Sequence, residues 1–150
     1  MDNPKKNKEE RIRMIGVVIV AHGELAHAFK VATELIMGKQ EKFRAVSIGA
    51  QDEVASASGR LKKAISEVDH GDGVLILTDM FGGTPTNLSL SFLEENKVEV
   101  LTGVNLPILI KLMSLRHELT DLESIKERLC VYGREKIVAA SDLLNHKVAK

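Results

Sequence analysis

The stretch Asp79-Met80-Phe81-Gly82-Gly83-Thr84-Pro85 stands between the apolar run Val74 to Leu77 and the segment Asn87-Leu88-Ser89-Leu90. It reads as the end of a buried strand turning into a helix. Two glycines free the backbone for a tight turn or a close ligand approach. Thr84 is placed to cap the helix, and Pro85 suits a first-turn position where its missing N–H costs nothing. Such a turn presents several N–H groups together, an array that stabilises an anion and above all a phosphate. Asp79 cannot bind that anion itself. Its carboxylate suits the orientation of a cationic or proton-donating group, and His22, which closes another apolar run, is the candidate. On this segment alone, an ordinary strand-to-helix turn accounts for the residues equally well.

The chain has 150 residues and is 44% hydrophobic, enough for one domain with a real core. Its 21 basic and 21 acidic side chains balance, which removes any global electrostatic argument for nucleic acid or an anionic membrane as partner. A single cysteine, Cys130, excludes an intramolecular disulfide and a cysteine-based metal cluster, and reads as a reduced, packed residue of a cytoplasmic protein. Ile15 to Ala21 is at the short limit for a signal-peptide core, and an amphipathic helix pattern follows it, so secretion is not expected. No run approaches the roughly 20 apolar residues that span a bilayer.

Residues 1–13, with Lys5, Lys6, Lys8, Arg11 and Arg13 against Asp2, Glu9 and Glu10, are expected to form a flexible basic tail, and 14–150 a single domain. Ile15 to Val20 is a continuous β-branched run, the pattern of a central parallel strand covered on both faces. After Ala21-His22-Gly23, helical spacing of Leu25, Phe29, Ala32 and Leu35/Ile36 predicts a helix buried on that face and stopped near Gly38. Phe43 to Ile48 reads as a second strand. Val54, Ala57, Leu61, Ala64/Ile65 and Val68 then mark a second helix, in which Gly59 signals either close packing or a delayed start.

His70-Gly71-Asp72-Gly73 is a turn before the third strand, Val74 to Asp79. The helix after it places Leu88, Phe92 and Leu93 on one side, and Val98 to Leu101 is a fourth strand. In Thr102-Gly103-Val104-Asn105-Leu106-Pro107, Asn105 is a cap and Pro107 a first-turn residue, before Leu109, Ile110, Leu112 and Met113 on a buried helical face. Thr120 and Glu123 are spaced as a capping box for a long helix that Gly133 terminates. Ile137 to Ala140 reads as a small edge strand, and Asp142 to Lys150 as a terminal helix or frayed tail. The order is that of a compact three-layer α/β sandwich around a mainly parallel sheet of four strands. Right-handed crossovers bring the carboxyl ends of all strands to one rim, so that His22, Asp79 and Thr102-Gly103 become neighbours.

At that rim a neutral His22 imidazole can act as nucleophile or base. Asp79 could hold one ring N–H and present the other nitrogen outward, facing the N–H groups around Gly82, Gly83 and Thr84. A structural histidine ion-paired to Asp79 is the competing reading. The glycine spacing and the lack of a following lysine do not match a nucleotide-binding loop. His27, His117 and His146 are assigned to surface positions, and a metal site or other cofactor is not expected. Lys111 and Arg116 are candidates for an anion-attracting rim or for ordinary solvated charge.

Three blocks, Val20-Ala21-His22-Gly23, Asp79 to Asn87 and Thr102 to Pro107, together resemble the mannose-family IIA component of the bacterial phosphoenolpyruvate-dependent sugar phosphotransferase system, over about Met14 to Ala140. The resemblance implies that His22 accepts phosphate from the small histidine-containing phosphocarrier protein and passes it to a IIB component. It implies that Asp79 orients the histidine and that Gly23, Gly82, Gly83 and Thr84 form the phosphoryl pocket. Phe81, Gly103, Asn105 and Lys111 become candidates for its wall or for a partner surface. It also implies a homodimer, often with an edge strand exchanged near the C-terminus, for which Ile137 to Ala140 is the candidate. Phe81 stands where tryptophan is frequent, Thr84 where serine is, and Lys111 where many relatives carry an acid. No IIB domain is recognisable, so a separate IIB or a regulatory target would receive the phosphate. A dihydroxyacetone-kinase phosphotransfer component is the related alternative.

Overall fold

The computed structural model describes residues 12–148, so the expected basic tail, apart from residues 12 and 13, lies outside the described residues, as does the side chain of His146. Four strands, β1 (Gly16–His22), β2 (Phe43–Ile48), β3 (Val74–Thr78) and β4 (Val98–Thr102), form one sheet in the order β2-β1-β3-β4. Every pairing is parallel. Six helices accompany them: α1 (Leu25–Met37), α2 (Val54–Val68), α3 (Gly83–Leu90), α4 (Leu106–Leu115), α5 (Leu122–Glu135) and α6 (Ala140–Val148).

The unbroken apolar runs follow from burial on both faces of the sheet. Val17, Ile19 and Ala21 of β1, with Leu75 and Leu77 of β3, enter a core shared with α1, α4 and α5. Val18 and Val20, with Val74 and Ile76, face the opposite way into a core shared with α2 and α3. This is the expected three-layer sandwich. Because β2 and β3 lie on opposite sides of β1, the chain leaving β1 goes to one layer and the chain leaving β3 to the other. The crevice between their carboxyl ends is the topological switch point, where open α/β sheets bind ligands.

Several local expectations are corrected. Helix α1 buries Ala26 and Thr33, with Phe29 and Met37 partly covered, and leaves Leu25, Ile36 and the 84% exposed Leu35 in solvent. The helix carries two apolar stripes, and the sheet took the one with small residues. Thr33 is tolerated there because its hydroxyl donates to the Phe29 carbonyl at 2.7 Å. Gly59 has no neighbour close enough to explain it, and α2 starts at Val54 without delay. Helix α3 ends at Leu90, so Phe92 packs against the core from outside it and Leu93 is exposed.

Helix α5 is capped by Asp121, whose carboxylate accepts from the Ser124 N–H, one residue later than the expected box. Gly133 does not end that helix. It is buried within it, where a Cβ would stand 2.5 Å from Cδ1 of Ile108, so glycine permits the close contact of α4 with α5. The segment 137–139 has no regular structure and pairs with no strand among the described residues. Ala140, expected at the end of an edge strand, instead begins α6.

Candidate functional site

His22 is the last residue of β1, and Asp79 follows directly on β3. Their strands are hydrogen-bonded neighbours, with Val20 opposite Thr78, so both side chains emerge at the switch point. Oδ2 of Asp79 accepts twice from His22, from the backbone N–H at 3.0 Å and from ring Nδ1 at 2.6 Å. Oδ1 accepts from the Met80 N–H at 3.0 Å. The carboxylate is thereby fixed on both oxygens. A carboxylate can only accept, so it selects the tautomer with hydrogen on Nδ1 and leaves the Nε2 lone pair free.

The His22 side chain is 49% exposed and that of Asp79 only 11%. Partial burial pushes the Asp79 pKa up, but the His22 N–H and imidazole together outweigh that effect and hold the carboxyl below its usual range. The acceptor of the pair is thus anionic at neutral pH while the ring edge bearing Nε2 faces out. Gly82 and Gly83 turn the chain with φ of 90° and 80°, values that suit glycine. A Cβ on Gly83 would lie 3.1 Å from Nε2, which locates the free nitrogen against the start of α3.

Helix α3 has Gly82 as its cap residue, with no side-chain capping bond, so Thr84 is not the cap and stands exposed in the first turn. The first-turn N–H groups, which have no acceptor within the helix, point toward the amino end of α3, and Thr84 lines a cavity there with His22. Gly23 lies beside His22 at the same rim. Its N–H donates to the Ile48 carbonyl at 2.8 Å and is committed to the β1-to-β2 edge.

A cavity of about 350 Å³ adjoins the histidine, lined by His22, Gly23, Thr84, Ile48, Gly49, Ala50, Asp52, Val54 and Ala57. The loop after β2 is the part that residue-by-residue reading did not supply, although a strand neighbouring β1 must deliver its loop to the same rim. Asp52 within it accepts from the Gly49 N–H and the Arg60 guanidinium, both at 2.7 Å, and these hold its carboxyl below the usual range. Phe81 is 78% exposed beside Met80, forming an apolar surface at the rim rather than a wall of this cavity.

The remaining candidates disperse. Gly103 and Asn105 line a separate cavity of about 140 Å³ with Cys130 and Arg134, and Asn105 is engaged in capping α4 through its bond from the Ile108 N–H at 2.9 Å. Lys111 lies over the Tyr132 ring at 5.4 Å, on the α4–α5 surface. Arg116 is fully buried at the opposite end of the sheet, donating to the carbonyls of Ile15, Glu41 and Lys42, so it is not a rim cation. Burial lowers its pKa to about 10, which leaves it charged. His27 and His117 are exposed, and among the described residues no three His, Cys, Asp or Glu side chains gather as a metal-binding group.

The fold and rim together define a class: a parallel α/β domain carrying a carboxylate-bound histidine at its switch point. A family model described as PTS system fructose IIA component matches residues 16–130. The PTS system fructose-specific EIIA component of Bacillus subtilis is 31% identical over 132 residues, covering 87% of this chain and 90% of that protein. The mannose-specific EIIAB component of Escherichia coli is 26% identical over 126 residues, of which this chain spans 39% of the relative's length. Among solved structures, phosphotransferase system component EIIA from Streptococcus agalactiae superimposes with a TM-score of 0.78 at 28% identity, covering 86% of this chain and 99% of that one. The chain belongs to the mannose family of phosphotransferase-system IIA components. No helix among the described residues is long and apolar enough to cross a membrane.

Proposed function

We propose that this IIA component is a phosphocarrier that receives a phosphoryl group on Nε2 of His22 from a histidine-containing phosphocarrier protein and passes it to a separate IIB component for sugar uptake in the cytoplasm. The observation that carries the proposal is the double acceptance by Asp79 Oδ2, which fixes the ring and frees Nε2. In the transfer, the Nε2 lone pair forms the new N–P bond as the donor's N–P bond breaks and its pair returns to the donor imidazole. The Nδ1 proton stays in place, and the Asp79 carboxylate balances the positive charge the ring acquires. N–H groups at the start of α3, with the Thr84 hydroxyl, face the developing phosphoryl charge. The reverse sequence delivers the group to IIB.

The exposed apolar side chains of Ile137, Val138, Leu143 and Leu144 support a homodimer in which this C-terminal segment covers a second copy. The test is incubation with the general phosphotransfer proteins followed by acid and base treatment: acid-labile, base-stable phosphate on His22 is expected, and rapid stoichiometric delivery to a cognate IIB. A folded protein that several carrier preparations leave unphosphorylated would defeat the proposal. Efficient phosphorylation without transfer to any IIB, joined to phosphate-dependent capture of another protein, would move the role from transport to regulation.

A further inference from the structure

Thr78 and Thr86 are both fully buried, at the end of β3 and within α3, and their Oγ1 atoms are 2.7 Å apart. Thr86 Oγ1 also lies 2.5 Å from the Met80 carbonyl oxygen. A carbonyl only accepts and a hydroxyl has one proton, so Thr86 donates to Met80 and Thr78 must donate to Thr86. The chain of bonds therefore has one direction, from Thr78 through Thr86 to the Met80 carbonyl. The same residue's N–H donates to Asp79 Oδ1. Met80 is thus held from the core on its carbonyl side and holds the Asp79 carboxylate on its amide side. Thr78 also accepts, through its own carbonyl, the Val104 N–H at 3.0 Å, so the first member is itself braced by the chain leaving β4.

We propose that Thr78 and Thr86 are positioning residues for the His22–Asp79 pair, acting through the backbone of Met80 and touching neither ring nor phosphate. The inference extends the phosphocarrier reading, on which its kinetic part rests. Hydroxyls that served only to satisfy one another could have faced any buried partner. These end on the carbonyl of the one residue whose N–H orients the Asp79 carboxylate. Loss of the chain releases the Met80 carbonyl, so the residue whose N–H Oδ1 accepts is no longer anchored to the core.

Thr86→Val keeps the side-chain shape and removes the hydroxyl, whereas Thr86→Ser keeps the hydroxyl. The primary readout is the nitrogen NMR spectrum of the His22 imidazole in the unphosphorylated full-length protein, which reports the tautomer. T86V is expected to lose the dominant Nδ1–H form and to accept phosphate roughly tenfold more slowly, with T86S close to wild type in both. A folded T86V with wild-type tautomer populations would overturn the inference, even if it were less stable. Where T86V does not fold, T78V carries the same readout: it removes the donor that braces the Thr86 hydroxyl, a tautomer shift supports the chain, and an unchanged ring removes Thr78 from it. Because the tautomer is read without any phosphoryl donor, a wild type that no carrier phosphorylates would defeat the proposed function and leave this inference to be decided by the ring alone.

Discussion

The backbone of Gly83 and the imidazole of His22 are in contact so close that a Cβ on Gly83 would lie 3.1 Å from both Cε1 and Nε2. Gly83→Ala therefore fails in two ways. The φ of 80° is unfavourable to an L side chain by roughly 1–2 kcal/mol, and the new methyl faces the nitrogen proposed to carry phosphate. The expected outcome is a modest fall in thermal midpoint with a much larger loss of phosphoryl acceptance, recorded by single-turnover transfer on the same samples. A transfer rate that fell only in proportion to stability would remove Gly83 from the proposed pocket.

His22→Ala removes the acceptor and is expected to abolish acid-labile phosphorylation. Asp79→Asn keeps the shape and loses the charge. Its amide can no longer hold the Nδ1–H tautomer or balance the phosphorylated ring, so forward and reverse transfer should slow by about 10²- to 10⁴-fold with native circular dichroism retained. Equal rates in folded D79N and wild type would discard Asp79 as the orienting group.

The depressed pKa of Asp79 also predicts a pH dependence. Its folded value lies below the ordinary 3.8, so its contribution to stability is complete above that ordinary value and disappears as pH falls through the folded one. Urea midpoints taken from pH 7 downward should therefore fall more steeply in wild type than in D79N. Parallel acid limbs would show that the carboxylate adds nothing to the folded state.

Thr84→Ala should change stability by no more than about 0.5 kcal/mol, because Gly82 and not Thr84 occupies the cap position and Thr84 is exposed. Chemical denaturation measures this directly. A loss of about 0.5–2 kcal/mol would instead be the signature of a capping side chain.

The positions of the four sheet strands and the meeting of His22 with Asp79 were legible because both depend on long-range order that a parallel sheet imposes, whereas the edge strand expected at Ile137 to Ala140 had no such partner. Apolar runs locate the strands, and parallel pairing sends their ends to one rim. The 2.6 Å contact between the two side chains follows from that topology. What the sequence did not reveal was decided by choices among near equals. Helix α1 offers two apolar stripes, and periodicity does not say which one the sheet covers. Thr120 and Asp121 are both competent caps, and only the geometry of the turn selected Asp121. Gly133 reads as a stop signal unless its contact with Ile108 is known. Arg116 carries a charge that reads as solvated surface, while its five donors make it equally suited to closing a set of buried carbonyls.

Replacing Arg116 with Leu leaves the carbonyls of Ile15, Glu41 and Lys42 without their guanidinium donors, and a loss of roughly 3 kcal/mol or more is expected. Phosphoryl transfer per folded molecule should be unchanged, since the residue lies at the amino end of the strands. A selective loss of transfer in a stable R116L would contradict that separation.

Arg116 bonds to residues 101, 75 and 74 positions earlier in the chain, at Ile15, Glu41 and Lys42. On the ribosome, the first two strands emerge long before the residue that fastens their leading ends. A nascent chain can therefore assemble β1 against β2 yet cannot complete their amino-terminal edge until α4 has been synthesised and docked. Closure of the sheet is in this sense post-dated: Arg116, the residue after α4, delivers side-chain donors for carbonyls laid down at the outset, and truncation before that point leaves the leading ends of the first strands with backbone pairing such as Val17 N–H to the Lys42 carbonyl but without the guanidinium clamp.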